Sequence, residues 1–417
     1  MSRKIVDVLG GFLRRNTRFS DDDIRAQMKN LAEGRVRTPA STSPFVLSGV
    51  DASEHAVPEG ALTAVDLPSD DVRERLAHLA DHVAAQVAAG EMPRIDLPDL
   101  HRANAIYDER GNVYLGHNVR PLAFDRRGAK DFVRLLLTLE TARDNLRNGP
   151  CTKRGLFYQH QAKLPDDADQ RDTDRAIASL ANVLRVRRKA LGFVEARRGS
   201  VYGRLVIREG SEVVDLAQLG PGGRTIPRFT DDVEIVSSDA TSIVIVEKDA
   251  VAQRLAQARW WDAARCIMIC GMGFPAVSTR EFVRKLIDTL GIRAVILADA
   301  DPSGIRLALN YAHGAISTAL ETPWLACDEL RWAGLHPSDI DRHCPTNLIR
   351  LSDIDYEDAR LLLEHPSRAY VNERVREELA ILVERGIKAE LDLLCNDMPS
   401  FVGYLQHKLF DCDLVKL

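Results

Sequence analysis

No two cysteines of this chain form a Cys-x-x-Cys pair, and no set of cysteines and histidines has the spacing of a zinc site. The seven that are present (Cys151, Cys266, Cys270, Cys327, Cys344, Cys395 and Cys412) are scattered and odd in number. That pattern points to reduced thiols, most of them buried as small hydrophobes, and not to a disulfide framework. The Gly-Lys dipeptide is also missing, so there is no Walker-type phosphate loop. Gly220-Pro221-Gly222-Gly223 is a turn by composition, and any ATP-driven step would have to come from another subunit. No apolar run approaches the roughly 18 residues of a membrane span. Met1–Arg15 begins basic, but Asp7 interrupts its apolar stretch and Arg14-Arg15 close it, which argues against a secretory signal. The expectation is a soluble intracellular protein. An excess of positive charge is lacking too: 56 Lys and Arg stand against 61 Asp and Glu, a net charge of −5. A protein that coats nucleic acid over its whole surface is disfavoured, whereas one that gathers its basic residues on one face is not. No internal repeat stands out.

With 417 residues, 45% of them apolar and 28% charged, the chain can bury two or three ordinary globular cores. Residues 1–35 read as one or two short helices. From Val36 to Asp70 the composition shifts to Pro, Ser, Thr and Ala, the mark of a linker or surface arm. Val72, Leu76, Leu79, Val83 and Val87 then share one stripe of a helix over Asp71–Ala89, stopped by Gly90 and Pro93. Short strands are expected around Asn112–Leu115, and a helix over Lys130–Asn145. Asp172 is a plausible N-cap for a helix that carries Ile177, Leu180, Ala181 and Leu184 on one face and ends in Arg185, Arg187, Arg188 and Lys189. Gly192–Glu195 and Val201–Ile207, joined by Arg197-Arg198-Gly199-Ser200, have a hairpin pattern. Helix, helix and basic-tipped hairpin is the order of a winged helix, whose second helix enters the major groove while the wing touches backbone. From about Asp231 the pattern becomes strand–helix alternation. Ile243–Val246, Ile267–Ile269 and Ala294–Leu297 are continuous apolar runs, as strands buried on both faces of a mostly parallel sheet require. Helices are expected over Thr279–Leu290 and from Gly304 to about Leu320. The tail, from about Asp339, reads as helical and without a catalytic motif.

Two sets of residues carry chemistry. Glu247, Asp299 and Asp301 each fall at the carboxyl end of an expected buried strand, the edge where open α/β sheets bind ligands. Three converging carboxylates raise one another's pKa, and a bound Mg²⁺ relieves that conflict with the oxygen ligands it prefers. The plainer reading leaves Asp301 as a helix cap and Glu247 paired with a basic residue. Lys248 could touch a phosphate. The second set is Thr152-Lys153-Arg154-Gly155-Leu156-Phe157-Tyr158, placed just before a long helix. A tyrosine is a poor nucleophile at neutral pH unless assisted. Arg154, four residues earlier, would face the same side and could steady charge on a phosphorane. His160 is open to two readings, a base or a surface or phosphate-contacting residue. Arg185, Arg187, Arg188, Lys189, Arg197 and Arg198 fit phosphate contacts or solvated surface charge.

In this order the motifs resemble those of type IIB DNA topoisomerases (topoisomerase VI), in their A chain, and of the related meiotic double-strand-break transesterases. The resemblance runs from about Gly90 to the C-terminus. It takes in Pro93–Asn104, Ala105–Gly116, the tyrosine segment, Val246-Glu247-Lys248-Asp249, Gly271–Arg280, Asp299-Ala300-Asp301-Pro302-Ser303-Gly304 and Lys388–Glu390. The fold it implies is multi-domain α/β. Residues 1–90, outside the resemblance, would be a helical extension and linker whose amphipathic helices could dock a B subunit. Residues 91–230 would form a winged-helix (CAP-like) DNA-binding domain with the catalytic tyrosine. Residues 231–417 would form a Toprim α/β domain with a helical C-terminal extension. By the same resemblance, Tyr158 is the nucleophile, Arg154 its electrostatic helper, and Glu247, Asp299 and Asp301 the Mg²⁺ site. The protein would act on double-stranded DNA as a homodimer, the tyrosine of one protomer meeting the metal site of the other. It would make staggered breaks with 5′-phosphotyrosyl links, and strand passage would be driven by a GHKL-ATPase B subunit in an A2B2 assembly. A cytoplasmic, nucleoid-associated location and no membrane follow from that. Alternatives are a stand-alone or break-making transesterase without strand passage, a hydrolytic Toprim nuclease, and a non-catalytic DNA-binding relative. Two positions depart from the family pattern: Gly155 stands where an acid is common, which should loosen the turn, and Phe157 where a tyrosine is common.

Overall fold

The computed structural model describes residues 3–16, 20–37, 57–163, 169–195, 198–343, 348–410 and 414–417. Most of the Pro- and Ser-rich segment expected as a linker, residues 38–56, lies outside the described residues, and so does Arg197. Contacts divide the chain into two units. The first comprises Met1–Ile106, Tyr114–Ala196 and Ala319–Glu321, and the second Tyr107–Val113, Arg197–Thr318 and Thr322–Leu417.

The first unit is mainly helical, with helices Arg3–Asn16, Asp21–Ala32, Ser69–Ala88, Ala129–Asn148, Lys153–Lys163 and Gln170–Leu184. All contribute to one core, the helix Lys153–Lys163 through Leu156 and the others through apolar stripes. Leu9, Phe12 and Leu13 meet Leu76, Leu79 and Val83 there, together with Phe132, Leu136, Ile177 and Leu180. Burying a Leu or Phe side chain of this kind is worth about 1.5–3 kcal/mol each, so the core, more than local propensity, holds these helices. An antiparallel pair, Arg94–Pro98 with Val119–Ala123, packs on the same core.

Three expectations for this region are corrected. The helix after residue 168 is capped by Asp169, whose side chain accepts from Arg171 N–H, and not by Asp172. Asp172 instead pairs with Arg134 at 3.0 Å and Arg175 at 2.7 Å. That helix ends at Leu184, so Arg185–Lys189 lie beyond it; Arg185 closes it in the left-handed conformation, φ 51°. The hairpin of a wing does not form. Phe193–Val194 pairs in parallel with Cys151–Thr152, while Ser200–Gly203 joins the sheet of the second unit, antiparallel to Cys266–Cys270. The sequence between 198 and 230 therefore belongs with the second unit and not with the first. Its alternating pattern is indeed that of strands, but strand pattern does not say which sheet supplies the partner.

In the second unit a seven-stranded sheet runs in the order Arg224–Thr225, Ser200–Gly203, Cys266–Cys270, Ser242–Val246, Arg293–Leu297, Arg331–Trp332 and Val415–Lys416. The four inner strands are parallel; Ser200–Gly203 and Val415–Lys416 flank them antiparallel, and Arg224–Thr225 is antiparallel in turn to Ser200–Gly203. Every residue of Ser242–Val246 and Cys266–Cys270 is buried, which is why both read as unbroken apolar runs. Val277–Leu290 and Pro302–His313 are the helices that connect and follow these strands. The tail is helical as expected, over Asp353–Leu363, Glu373–Arg385 and Met398–Phe410. None of the described helices is long and apolar enough to cross a membrane.

Candidate active site

Tyr158 stands inside a helix of its own, Lys153–Lys163, ahead of the expected helix Gln170–Leu184. The helix starts where Thr152 Oγ1 accepts the Gly155 N–H at 3.0 Å, a cap on one of the orphan donors of the first turn. The preceding strand is held by its pairing with Phe193–Val194, and Asn145 Nδ2 donates to the Gly192 carbonyl at 3.0 Å. Leu156 and His160 face the core and are buried. Tyr158, on the other side, is 53% exposed. One turn earlier on that same face, Arg154 donates through Nε to the Tyr158 hydroxyl at 3.1 Å, and its guanidinium carbon lies 5.9 Å from the ring centroid. An N–H of a permanently charged group is thus aimed at the oxygen that would carry negative charge. The Phe157 ring sits 5.5 Å from the Tyr158 ring, centroid to centroid.

His160 is neither a surface residue nor an available base. It is 2% exposed, and burial, with the Arg134 charge adding to it, lowers its pKa to about 4. Its Nε2 lies 3.4 Å from Thr138 Oγ1. Several residues considered for phosphate contact are also committed to the protein. Arg185 donates to the Thr63 carbonyl through Nε and Nη2, at 3.2 and 3.1 Å. Arg187, 4% exposed, pairs with Asp66 at 3.0 Å, and Arg188 with Glu321 at 3.2 Å. Lys189 is half-buried. Arg198 is exposed and donates to the Met272 carbonyl. A basic run in sequence marks charge but does not distinguish charge spent internally from charge left to solvent.

In the second unit the carboxylates gather at the carboxyl edge of the sheet. Glu247 follows the strand Ser242–Val246 directly, and Asp299 follows Arg293–Leu297 by two residues. The backbone N–H of Asp299 donates to Glu247 Oε2 at 3.1 Å, which ties the two strand ends together. Asp301 caps the helix Pro302–His313, accepting the Gly304 N–H at 2.6 Å. Glycine is needed at 304: a Cβ there would lie 2.7 Å from the Asp299 carbonyl oxygen.

Burial, reinforced by the charges of Asp299 and Asp301, raises the Glu247 pKa to about 7. Asp299 and Asp301 are raised as well, chiefly by burial. The counter-charge in place is Lys248. Its Nζ lies 2.8 Å from Asp299 Oδ2, 3.1 Å from Glu390 Oε2 and 3.5 Å from Asp392 Oδ2. Burial lowers the Lys248 pKa, but the bond to Asp299 and the neighbouring charges outweigh it and hold the ammonium above its usual range. The other Asp299 oxygen, Oδ1, accepts the Leu391 N–H at 2.7 Å.

Among the described residues no three His, Cys, Asp or Glu side chains already form a set that could hold a metal ion. The donor chemistry nevertheless fits Mg²⁺, which takes hard oxygens and is ordinarily bound by one or two carboxylates, with waters and phosphate oxygens completing its shell. The charges of Asp299 and Asp301, which add to the effect of burial on Glu247, are what a dication would offset. Glu390 and Asp392 lie in the tail, where the sequence shows no catalytic motif. Lys388–Glu390 signals only through resemblance, and Asp392 gives no signal.

Comparison with known proteins covers both sets of residues. The family described as the Toprim domain of the topoisomerase 6 A chain and Spo11 matches residues 242–409. A second, described as Type IIB DNA topoisomerase, matches residues 130–193. The chain is 31% identical over 371 residues to the meiotic recombination protein SPO11-2 of Oryza sativa subsp. japonica, covering 84% of this chain and 94% of that one. It is 30% identical over 317 residues to the A chain of DNA topoisomerase 6 from Arabidopsis thaliana, covering 75% and 73%. With the corresponding chain of type 2 DNA topoisomerase 6 from Hyperthermus butylicus it shares 28% over 364 residues, covering 80% and 93%. The protein belongs to the family of Spo11 and the topoisomerase 6 A chain, and its second unit contains the Toprim domain. Arg154 and Tyr158 fall within the first-unit match, and Glu247, Asp299, Asp301 and Glu390 within the Toprim match.

Proposed function

We infer that this protein is a metal-dependent DNA transesterase, the catalytic component of a type IIB topoisomerase, with Tyr158 as nucleophile. The observation that carries this reading is the exposed Tyr158 hydroxyl with the Arg154 Nε–H on it at 3.1 Å. The phenol oxygen attacks a backbone phosphorus, the P–O3′ bond breaks, and a 5′-phosphotyrosyl link forms. The phenol proton is lost and the 3′ oxygen gains one. Arg154 stabilises the negative charge of the pentacoordinate phosphorus. The phosphodiester energy stays in the new link, so resealing needs no nucleotide. A divalent cation held by Glu247, Asp299 and Asp301 would neutralise charge on the scissile phosphate.

On this reading the substrate is double-stranded DNA and the working unit a homodimer. Each tyrosine is offered to the acidic site of the other copy, with staggered breaks as the result. Passage of a second duplex would be driven by a GHKL-ATPase B subunit in an A2B2 assembly. Cytoplasmic, nucleoid-associated protein is the matching location.

The test is a plasmid assay with and without a candidate ATPase partner, covalent complexes being trapped by detergent. Tyr158→Phe should abolish the adducts and leave DNA binding intact; adducts that persist would remove Tyr158 from the chemistry. A second reading, break-making without strand passage, is favoured by the similarity to a meiotic recombination protein over 84% of the chain. Linear or nicked products bearing protein, with no relaxation or decatenation even when the ATPase is added, would select it. Free 5′-phosphate ends would select a hydrolytic nuclease instead.

A further inference from the structure

We propose that Lys248 is a displaceable internal cation. Its ammonium holds the acidic edge together while no metal is bound, and it cedes Asp299 to an incoming divalent ion by moving onto Glu390 and Asp392. The proposal rests on the reading of Glu247, Asp299 and Asp301 as the metal site.

The geometry supplies each part. Of the two Asp299 oxygens, Oδ1 is fixed by the Leu391 N–H at 2.7 Å and Oδ2 by Lys248 Nζ at 2.8 Å. A cation that takes Oδ2 therefore meets an ammonium already seated there. Sharing one oxygen would put a single and a double positive charge within a few ångströms of each other in a largely buried setting, where Coulomb repulsion is weakly screened. The ammonium has somewhere to go. Glu390 Oε2 at 3.1 Å and Asp392 Oδ2 at 3.5 Å are already in reach. Both are more exposed than Asp299, with side chains 47% and 40% exposed against 6%. Lysine suits such a part because its charge sits at the end of a four-carbon stem and its three donors rotate freely. Glu390 and Asp392 thus serve as a second mooring, and Lys248 is a positioning residue for the acids that hold the metal.

The experiment measures Mn²⁺ binding to the intact protein by titration calorimetry and electron paramagnetic resonance, with the unfolding midpoint of metal-free protein as a second readout. Lys248→Met should lower the metal-free midpoint and tighten Mn²⁺ binding roughly tenfold, within the span usual for coupled sites. Lys248→Arg, which keeps the charge, should lie close to wild type in both. Glu390→Gln should weaken Mn²⁺ binding while Lys248 is present and have little effect in the Lys248→Met background, a non-additivity that two independent groups would not show. Unchanged or weaker Mn²⁺ binding in Lys248→Met overturns the proposal. So does an equal loss on Glu390→Gln in both backgrounds, which would make Glu390 a ligand. Failure of the wild type to bind Mn²⁺ at all overturns the metal site itself, a separate outcome.

Discussion

The helix that carries Tyr158 and the sheet edge that carries Asp299 are built on opposite terms. Tyr158 is 53% exposed, and its hydroxyl takes a hydrogen bond from a side chain of its own helix. Asp299 is 4% exposed, with one oxygen fixed by a backbone N–H and the other by an ammonium. A nucleophile has to reach a substrate, so its surroundings supply charge and leave space. The acidic edge proposed as the metal site has to resist its own repulsion, so its surroundings supply counter-charge and fixed distances. The contrast teaches that the first site should be altered almost without touching the fold, and that the second should not.

Tests that would break or sharpen this contrast begin with Tyr158→Phe. It should remove covalent protein–DNA adducts altogether, while the unfolding free energy stays within about 0.5 kcal/mol, the usual range for an exposed position. Arg154→Ala should reduce the cleavage rate roughly 10²-fold, the loss typical of one donor to a developing oxyanion, with DNA affinity nearly unchanged; single-turnover cleavage measures it. Gly304→Ala should act through structure instead. Its Cβ would press on the Asp299 backbone, and overpacking of that kind costs about 1–3 kcal/mol, readable by chemical denaturation. Arg187→Ala should lower stability by up to about 1 kcal/mol through loss of its pair with the half-exposed Asp66, and leave the salt dependence of DNA binding as it was. The smallest effect concerns His160. Its folded pKa of about 4 lies below its ordinary 6.5, so between those values the unfolded chain holds more protons. The stability it contributes is complete above pH 6.5 and is lost as pH falls towards 4. His160→Gln should flatten the stability–pH curve across that window.

The periodic signals are legible because burial dictates them. The runs at 243–246, 267–269 and 294–297 become the strands Ser242–Val246, Cys266–Cys270 and Arg293–Leu297, and the stripe Val72–Val87 becomes the helix Ser69–Ala88. The carboxylates are legible for a related reason, since they fall where such strands end. What stays hidden depends on partners far along the chain. Ser200–Gly203 has a strand pattern that fits a local hairpin as well as it fits the Cys266–Cys270 edge it joins. Arg187 and Arg188 look like a solvated basic run until Asp66 and Glu321 are brought against them. Glu390 and Asp392 belong to the acidic cluster only because Lys248 reaches them. Asp172 is a sound cap by composition, but Asp169 takes the place and leaves it to Arg134.

The order of strands in the large sheet also bears on how the second unit assembles. Ser242–Val246 hydrogen-bonds to strands that come later in the chain on both sides, and the outer strand Val415–Lys416 pairs back with Arg331–Trp332. Such distant pairings make loop closure the slow event in folding. The sheet cannot be completed until residues 415–416 have emerged, and until then its apolar middle strands have open borders. Trp332, fully buried at that final pairing, would give a fluorescence signal for the last step of refolding, arriving later than helix formation in the first unit.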